Sequence, residues 1–257
     1  ILISDTVDVE YITGFHSSNV FLLIDKKHSI LATDFRYHQS ATEFCRKSGQ
    51  WSFVELGDIP FAFLSNRLKP GARLGIQSSN LTLDQYDRLK RQCPGVRFIK
   101  LNASLPSIFM PKLPTEIACM KRAARIGDEA MRELQPFLVE GVTEREVAIR
   151  LEALCRERGS EKPSFDTIVL FGKRSALPHG VPGNQRLRAG QFVLIDFGCT
   201  VDGLCSDMTR TFVFGTASDK QRHIYETVLR ANEVAKKVAR AGVVASQIDA
   251  AARAVIE

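Results

Sequence analysis

At 257 residues, with 44% hydrophobic and 25% charged content, the chain has the make-up of an ordinary soluble globular protein and room for one large or two smaller domains, of which two is the expectation. Its 35 Lys+Arg against 29 Asp+Glu give a net charge of +6, yet the basic residues are interleaved with acids in helix-like segments such as KRAARIGDEAMRE, which reads as a solvated surface and not as a nucleic-acid footprint. No apolar run approaches the ~20 residues that span a bilayer, so nothing indicates a membrane protein.

From residue 19 to 100 short apolar runs alternate with amphipathic stretches. NVFLLID, SILATD, WSFVEL, RLGI and VRFIKL read as strands, and FRYHQSATEFCRKSG, DIPFAFLSNRLK and LDQYDRLKRQ as helices. This alternation predicts an α/β layer domain. Pro106, Pro111 and Pro114 then fall close together, and because proline breaks helices and removes ladder donors, the domain boundary is placed near Lys112. Residues 1–112 form the first expected domain and 113–257 the second.

The second domain opens with longer helices. Thr115 is read as the cap of a helix running to about Phe137, with Ile117, Met120, Ala124 and Met131 on its apolar stripe. TERE, residues 143–146, is a capping box for a second helix that stops at Gly159. FDTIVLF, QFVLIDFG and LCSDMTRTFVF follow as strand candidates. Ser218 to Gln221 repeats the capping-box pattern, and Ser246 begins a last helix that runs into Glu257 without a stop signal. Cys45, Cys93, Cys119, Cys155, Cys199 and Cys205 lie far apart without a CxxC pair, which suits free thiols in a reducing, cytoplasmic setting better than a disulfide framework.

The segment LIDFGCTVDGLCSDMTRTF carries one aspartate in each of two apolar runs, Asp196 and Asp207, around an Asp-Gly turn signal. A hairpin loop that pairs Cys199 with Leu204, or a one-residue bulge beside an odd loop, would set the carboxylates directly opposite on one face, about 4.5–5.5 Å apart at Cα; a plain three-residue loop would send them to opposite faces. Like charges so opposed destabilise a sheet. A pair of divalent cations about 3.5–4 Å apart would compensate; the plain alternatives are that an arginine such as Arg210 neutralises them or that one aspartate simply faces solvent at a strand end, and spacing alone leaves metal and salt bridge open equally. Thr209 and Thr211 share the face of Asp207, as orienting hydroxyls or as ordinary strand formers. His179 sits in the stiff loop ALPHGVPGN, as a group for proton transfer or substrate hydrogen bonding or as a plain surface residue. His16, His28, His38 and His223 have no supporting context. HExxH, GxSxG and GxGxxG are absent, FGKRS is not a phosphate-binding loop, and no third triad member accompanies Ser175 and His179.

The residues LPHGVP, LIDFG and GLCSDMTRTF, in that order and spacing, resemble the pita-bread metallopeptidases of the Xaa-Pro aminopeptidase and prolidase type. The likeness extends upstream through SFDTIVLFG, EGVTERE and PTEIACMKRAARIGDEAM to EYITGF, in what resembles a creatinase-type N-terminal domain. The resemblance implies an α/β N-terminal domain followed by an α+β pita-bread domain, a homodimer, and hydrolysis of peptide bonds before proline by water activated at two divalent ions (manganese, cobalt or zinc). It implies Asp196 and Asp207 as metal ligands, Thr209 as a supporting hydroxyl and His179 as a substrate-side histidine. The family's remaining ligands, one histidine and two glutamates, belong beyond the helix that reaches Glu257, so the chain is expected to be a fragment of a longer enzyme. Leu204 stands where the family often has an aromatic residue. The competing readings are a non-catalytic pita-bread module that binds peptides or proteins, and a metal-free creatinase-like hydrolase, which would lack the aspartate pair.

Overall fold

The computed structural model describes residues 1–26, 29–101 and 110–257; His28 and Pro106 lie outside the described residues. The chain forms two compact units, Ile1–Leu113 and Pro114–Glu257.

In the first unit, strands β1 (Leu2–Ile3), β2 (Val20–Ile24), β3 (Ser29–Asp34), β4 (Ser52–Leu56), β5 (Arg73–Ile76) and β6 (Arg97–Lys100) build a six-stranded sheet in the order β4-β3-β2-β1-β5-β6. Pairs β1/β2 and β2/β3 are antiparallel and the remainder parallel. The central strands are apolar on both sides, as expected for a sheet covered on two faces. Leu2, Leu23, Ile30 and Ala32 pack with Leu64 and Leu89 on one face, and Ile3, Leu22 and Leu31 pack with Val9, Ala41 and Cys45 on the other. The helices supplying these residues are α1 (Thr6–Thr13), α2 (His38–Ser48), α3 (Ala62–Ser65) and α4 (Leu83–Gln92). The sequence patterning missed α1, whose start is set by the Asp5 carboxylate accepting from the Val7 and Asp8 amides. It also overextended α3, which is a single turn because Pro60 and Pro70 bracket its segment. At the end of β3, buried Asp34 accepts from the Arg36 guanidinium at 2.9 and 2.8 Å and from Asn19 at 2.9 Å. The Arg36 bonds hold its carboxyl well below the usual carboxylate range.

The second unit opens with α5 (Pro114–Leu134) and α6 (Glu144–Glu157). Helix α5 begins one residue before the expected Thr115 cap, with Pro114 in the first position that proline favours. Its buried stripe is Ala123, Ile126, Gly127, Ala130, Met131 and Leu134, whereas Ile117, Met120 and Ala124 are exposed. Met131 is thus buried as expected, while the rest of the buried side is displaced onto Ile126, Leu134 and the small residues Ala123, Gly127 and Ala130. A Cβ on Gly127 would stand 3.3 Å from the Met208 methyl and 3.6 Å from the Phe197 ring. The capping boxes at Thr143–Glu146 and Ser218–Gln221 form as expected, the second opening α7 (Asp219–Val238). The last helix, α8 (Ala245–Ile256), is capped at Val244, with Ser246 already in its first turn.

Strands β7 (Ile168–Phe171), β8 (Phe192–Phe197) and β11 (Met208–Val213) form an antiparallel sheet in the order β11-β8-β7, and β9 (Thr200–Val201) pairs with β10 (Leu204–Cys205). Val169, Phe171, Val193, Ile195 and Phe197 face the core shared with α5 and α6. Register is fixed at the turn. Asp202 and Gly203 both have positive φ, 50° and 73°, the signature of a two-residue type I′ hairpin turn, whose twist matches that of its strands. Glu161 grips the turn from outside, accepting from the Asp202 amide at 2.6 Å and the Gly203 amide at 3.4 Å. The Asp202 carboxylate accepts in turn from Arg122 at 3.0 Å and from the Cys119 thiol at 3.3 Å. Val201↔Leu204 and Thr200↔Cys205 lie in the same register as Phe197↔Met208 and Asp196↔Thr209.

Between those pairs Gly198 is buried against the opposite chain, where a Cβ would meet the Ser206 carbonyl oxygen and stand 2.7 Å from Ser164 Oγ. Because the obstruction is backbone, Gly198→Ala is expected to destabilise the second unit by about 2–3 kcal/mol in urea unfolding. For Asp34→Asn the loss of stability is expected to be greatest near neutral pH. A carboxyl whose pKa is depressed by folding contributes stability above its unfolded value of about 3.9, lost as pH falls toward the folded value, so the difference from wild type should shrink below about pH 4.

Candidate functional site

Asp196 lies on the central strand β8, on the face away from the α5–α6 core. Strand alternation puts Phe192, Leu194 and Asp196 there, all half-buried, while Val193, Ile195 and Phe197 are buried. Its cross-strand neighbours are Ile168 on β7 and Thr209 on β11. The expected direct opposition of Asp196 and Asp207 does not occur. The two-residue turn shifts the pairing, so Thr209 stands opposite Asp196, and Asp207, just before β11, falls opposite Gly198. Because that shift is an even number of residues, the face is preserved. Asp196, Asp207 and Thr209 share one side of the hairpin, with the carboxylates diagonal and their Cβ atoms roughly 7 Å apart. Asp207 is exposed. Repulsion between the pair is therefore milder than direct opposition would give.

Thr209 Oγ1 donates to Asp196 Oδ1 at 2.8 Å, leaving the second carboxylate oxygen open. Arg210 does not neutralise either aspartate; its guanidinium reaches Asp128 at 3.5 Å and the Thr209 carbonyl at 2.9 Å. Among the described residues neither Asp196 nor Asp207 has a cationic partner, and no group of three or more His, Cys, Asp or Glu side chains converges as a metal cage. The donor set is two hard carboxylates, a chemistry that suits divalent cations. Asp207, Thr209 and Arg210 also border a cavity of about 290 Å³ with Ala124, Gly127 and Asp128. A larger one, about 570 Å³ along α5 and β11, includes neither aspartate.

His179 is exposed, in the loop that follows β7 and the short 3-10 segment Gly172–Ala176. Gly180 presses on Leu170, since a Cβ there would lie 2.6 Å from Leu170 Cδ1. Leu170 is fully buried yet stands outside the α5–α6 core and pairs with Leu194. The histidine loop thus covers the same sheet face that carries Asp196. What fixes the loop is Glu144, the first residue of α6, fully buried. Its carboxylate accepts from the Phe171 amide at 2.9 Å, the Gly183 amide at 2.9 Å and Arg174 Nε at 3.1 Å. Arg174 also donates to the Val181 carbonyl at 2.7 Å. Sequence reasoning used TERE only as a capping box and passed over Glu144; the available signal was a second acid in that turn beyond the one the box employs. Glu161 was missed too, because its partners are backbone amides some forty positions away. All six cysteines are free thiols, and Cys45, Cys93, Cys155 and Cys199 are buried. Cys155 on α6 and Cys199 interact through their thiols, which pushes the Cys155 pKa up and lowers that of Cys199. Among the described residues no helix is long and apolar enough to cross a membrane.

Residues 1–108 match the creatinase/prolidase N-terminal domain, and residues 118–257 match metallopeptidase family M24. The chain is 38% identical over 190 residues to the Xaa-Pro dipeptidase of Pyrococcus furiosus, an alignment covering 74% of this chain and 54% of that protein. Among solved structures, the Xaa-Pro dipeptidase from Bacillus anthracis superposes with a TM-score of 0.91 at 33% identity, over 99% of this chain and 71% of that one. An X-Pro aminopeptidase from Thermotoga maritima superposes with a TM-score of 0.87 at 30% identity, over 99% of this chain and 74% of that one. With a creatinase-type α/β domain in front of a pita-bread domain, the chain belongs to metallopeptidase family M24.

Proposed function

We propose that this chain contributes to a divalent-metal-dependent hydrolase that cleaves the peptide bond before proline, of prolidase or aminopeptidase P type. The observation that carries the reading is the hairpin face on which Asp196 and Asp207 stand together without a cationic partner among the described residues, with Thr209 bonded to one of them. Asp196 and Asp207 would hold two divalent ions, manganese fitting an all-oxygen donor pair. Thr209 restrains Asp196 through Oδ1 and so directs Oδ2 outward. His179, on a loop over the same face, is assigned to the substrate side, where its imidazole would hydrogen-bond the scissile carbonyl and stabilise the charge that develops on that oxygen. When bound, such ions lower the pKa of water into the neutral range and polarise a carbonyl. The named activities of the Pyrococcus furiosus and Bacillus anthracis relatives, both Xaa-Pro dipeptidases, support the substrate class.

The decisive experiment combines metal analysis of the full-length protein with hydrolysis of Xaa-Pro dipeptides and longer Xaa-Pro peptides, before and after chelation. Chelator is expected to abolish hydrolysis and Mn(II) to restore it; activity that survives chelation in protein holding no metal would overturn the reading. Asp196→Asn and Asp207→Asn are expected to lose bound metal along with activity. Thr209→Val should weaken metal affinity by about 10–100-fold while Thr209→Ser largely keeps it, measured by competition with a fluorescent chelator. His179→Ala is expected to keep its metal and lose about 10²–10⁴ in kcat, which separates its role from that of the aspartates.

A further inference from the structure

The loop that carries His179 is exposed along most of its length, yet both of its ends and its middle converge on one buried carboxylate. The Phe171 amide, where the loop leaves β7, and the Gly183 amide, where it returns, bond to opposite oxygens of Glu144. Arg174 spans both oxygens with Nε and ties the Val181 carbonyl with its terminal nitrogen. The return strand is pinned further to the start of α6, with the Arg145 amide donating to the Gly183 carbonyl at 3.1 Å and the Glu144 amide to the Gln185 carbonyl at 3.1 Å. A fully buried carboxylate with a half-exposed arginine is a costly way to stabilise a fold, since apolar residues of similar volume commonly do as well. Its advantage is directional, because a carboxylate filled by backbone amides and a guanidinium fixes each donor in space.

We propose that Glu144 and Arg174 are positioning residues for His179. They hold the loop between Phe171 and Gly183 in one conformation and so keep the imidazole over the sheet face that carries Asp196. This rests on the proposed assignment of His179 to the substrate side. Arg174→Lys keeps the charge but loses the two-oxygen grip and the Val181 bond; Glu144→Gln keeps the shape but replaces one acceptor oxygen with a donor.

The test uses both variants in the full-length protein supplied with Mn(II), read by amide hydrogen exchange, metal content and kinetics on an Xaa-Pro dipeptide. Exchange at residues 177–184 is expected to rise on the order of tenfold or more, with β8 and β11 keeping their protection and metal content unchanged. In the same protein kcat should fall ~10–100-fold with KM little altered. Once His179 is replaced by alanine, adding Arg174→Lys should cost no more than about twofold in kcat, because the two changes act through one group. Unchanged loop exchange would overturn the proposal. So would exchange that rises equally in β8 and β11, or an Arg174→Lys loss that is as large in the His179→Ala background as in wild type. If Glu144→Gln does not fold, Arg174→Lys carries the test alone. If the wild-type protein does not hydrolyse Xaa-Pro bonds, the proposed function fails, and the exchange comparison still decides whether the pair holds the loop.

Discussion

The register of the hairpin between β8 and β11 is the constraint from which the candidate site follows. In an antiparallel ladder a slip of one residue transfers a whole strand's side chains to the other face. Such a slip would turn Asp207 and Thr209 toward the α5–α6 core, away from Asp196. The slip is prevented at the turn, where Asp202 and Gly203 take the left-handed conformation and donate their amides to Glu161. It is prevented again at Gly198, which leaves no space for a side chain beneath the Ser206 carbonyl. Neither feature bears on chemistry directly, yet both decide where the carboxylates stand.

Much of the fold was legible because its signals are local. Capping boxes at Thr143 and Ser218 need only residues three apart, and the apolar runs of β2, β3, β5 and β8 announce themselves without reference to partners. What the sequence did not disclose is relational. The buried stripe of α5 includes Ala123, Gly127 and Ala130, which carry little hydrophobic signal, and Gly127 matters because Phe197 and Met208 lie against it. The short β1 and α1 gave no periodicity long enough to read.

The site shows the same division. That Asp196 and Asp207 share a face could be stated as a condition on the loop, and the structure meets it through a shorter loop than the one considered, which moves the pair from opposed to diagonal. The diagonal removes part of the repulsion that direct opposition would impose. What distinguishes this face is that both aspartates stand on it, that Thr209 bonds one of them and that Arg210 is engaged by Asp128. Glu144 and Arg174 were invisible as a pair because their meeting depends on α6 and the end of β7 coming together.

Glu144 opens α6 and Glu161 lies just beyond its end, so one rigid rod separates the residue that grips the histidine loop from the residue that grips the aspartate hairpin. Its 14 residues set a span of about 21 Å at 1.5 Å per residue. The helix therefore works as a caliper for the sheet face between the two grips. Lengthening it by one residue would widen that gauge by only about 1.5 Å but swing one jaw about 100° around the axis relative to the other, so the alignment of the two loops is far more sensitive to the length of this helix than to the identity of its solvent-facing residues.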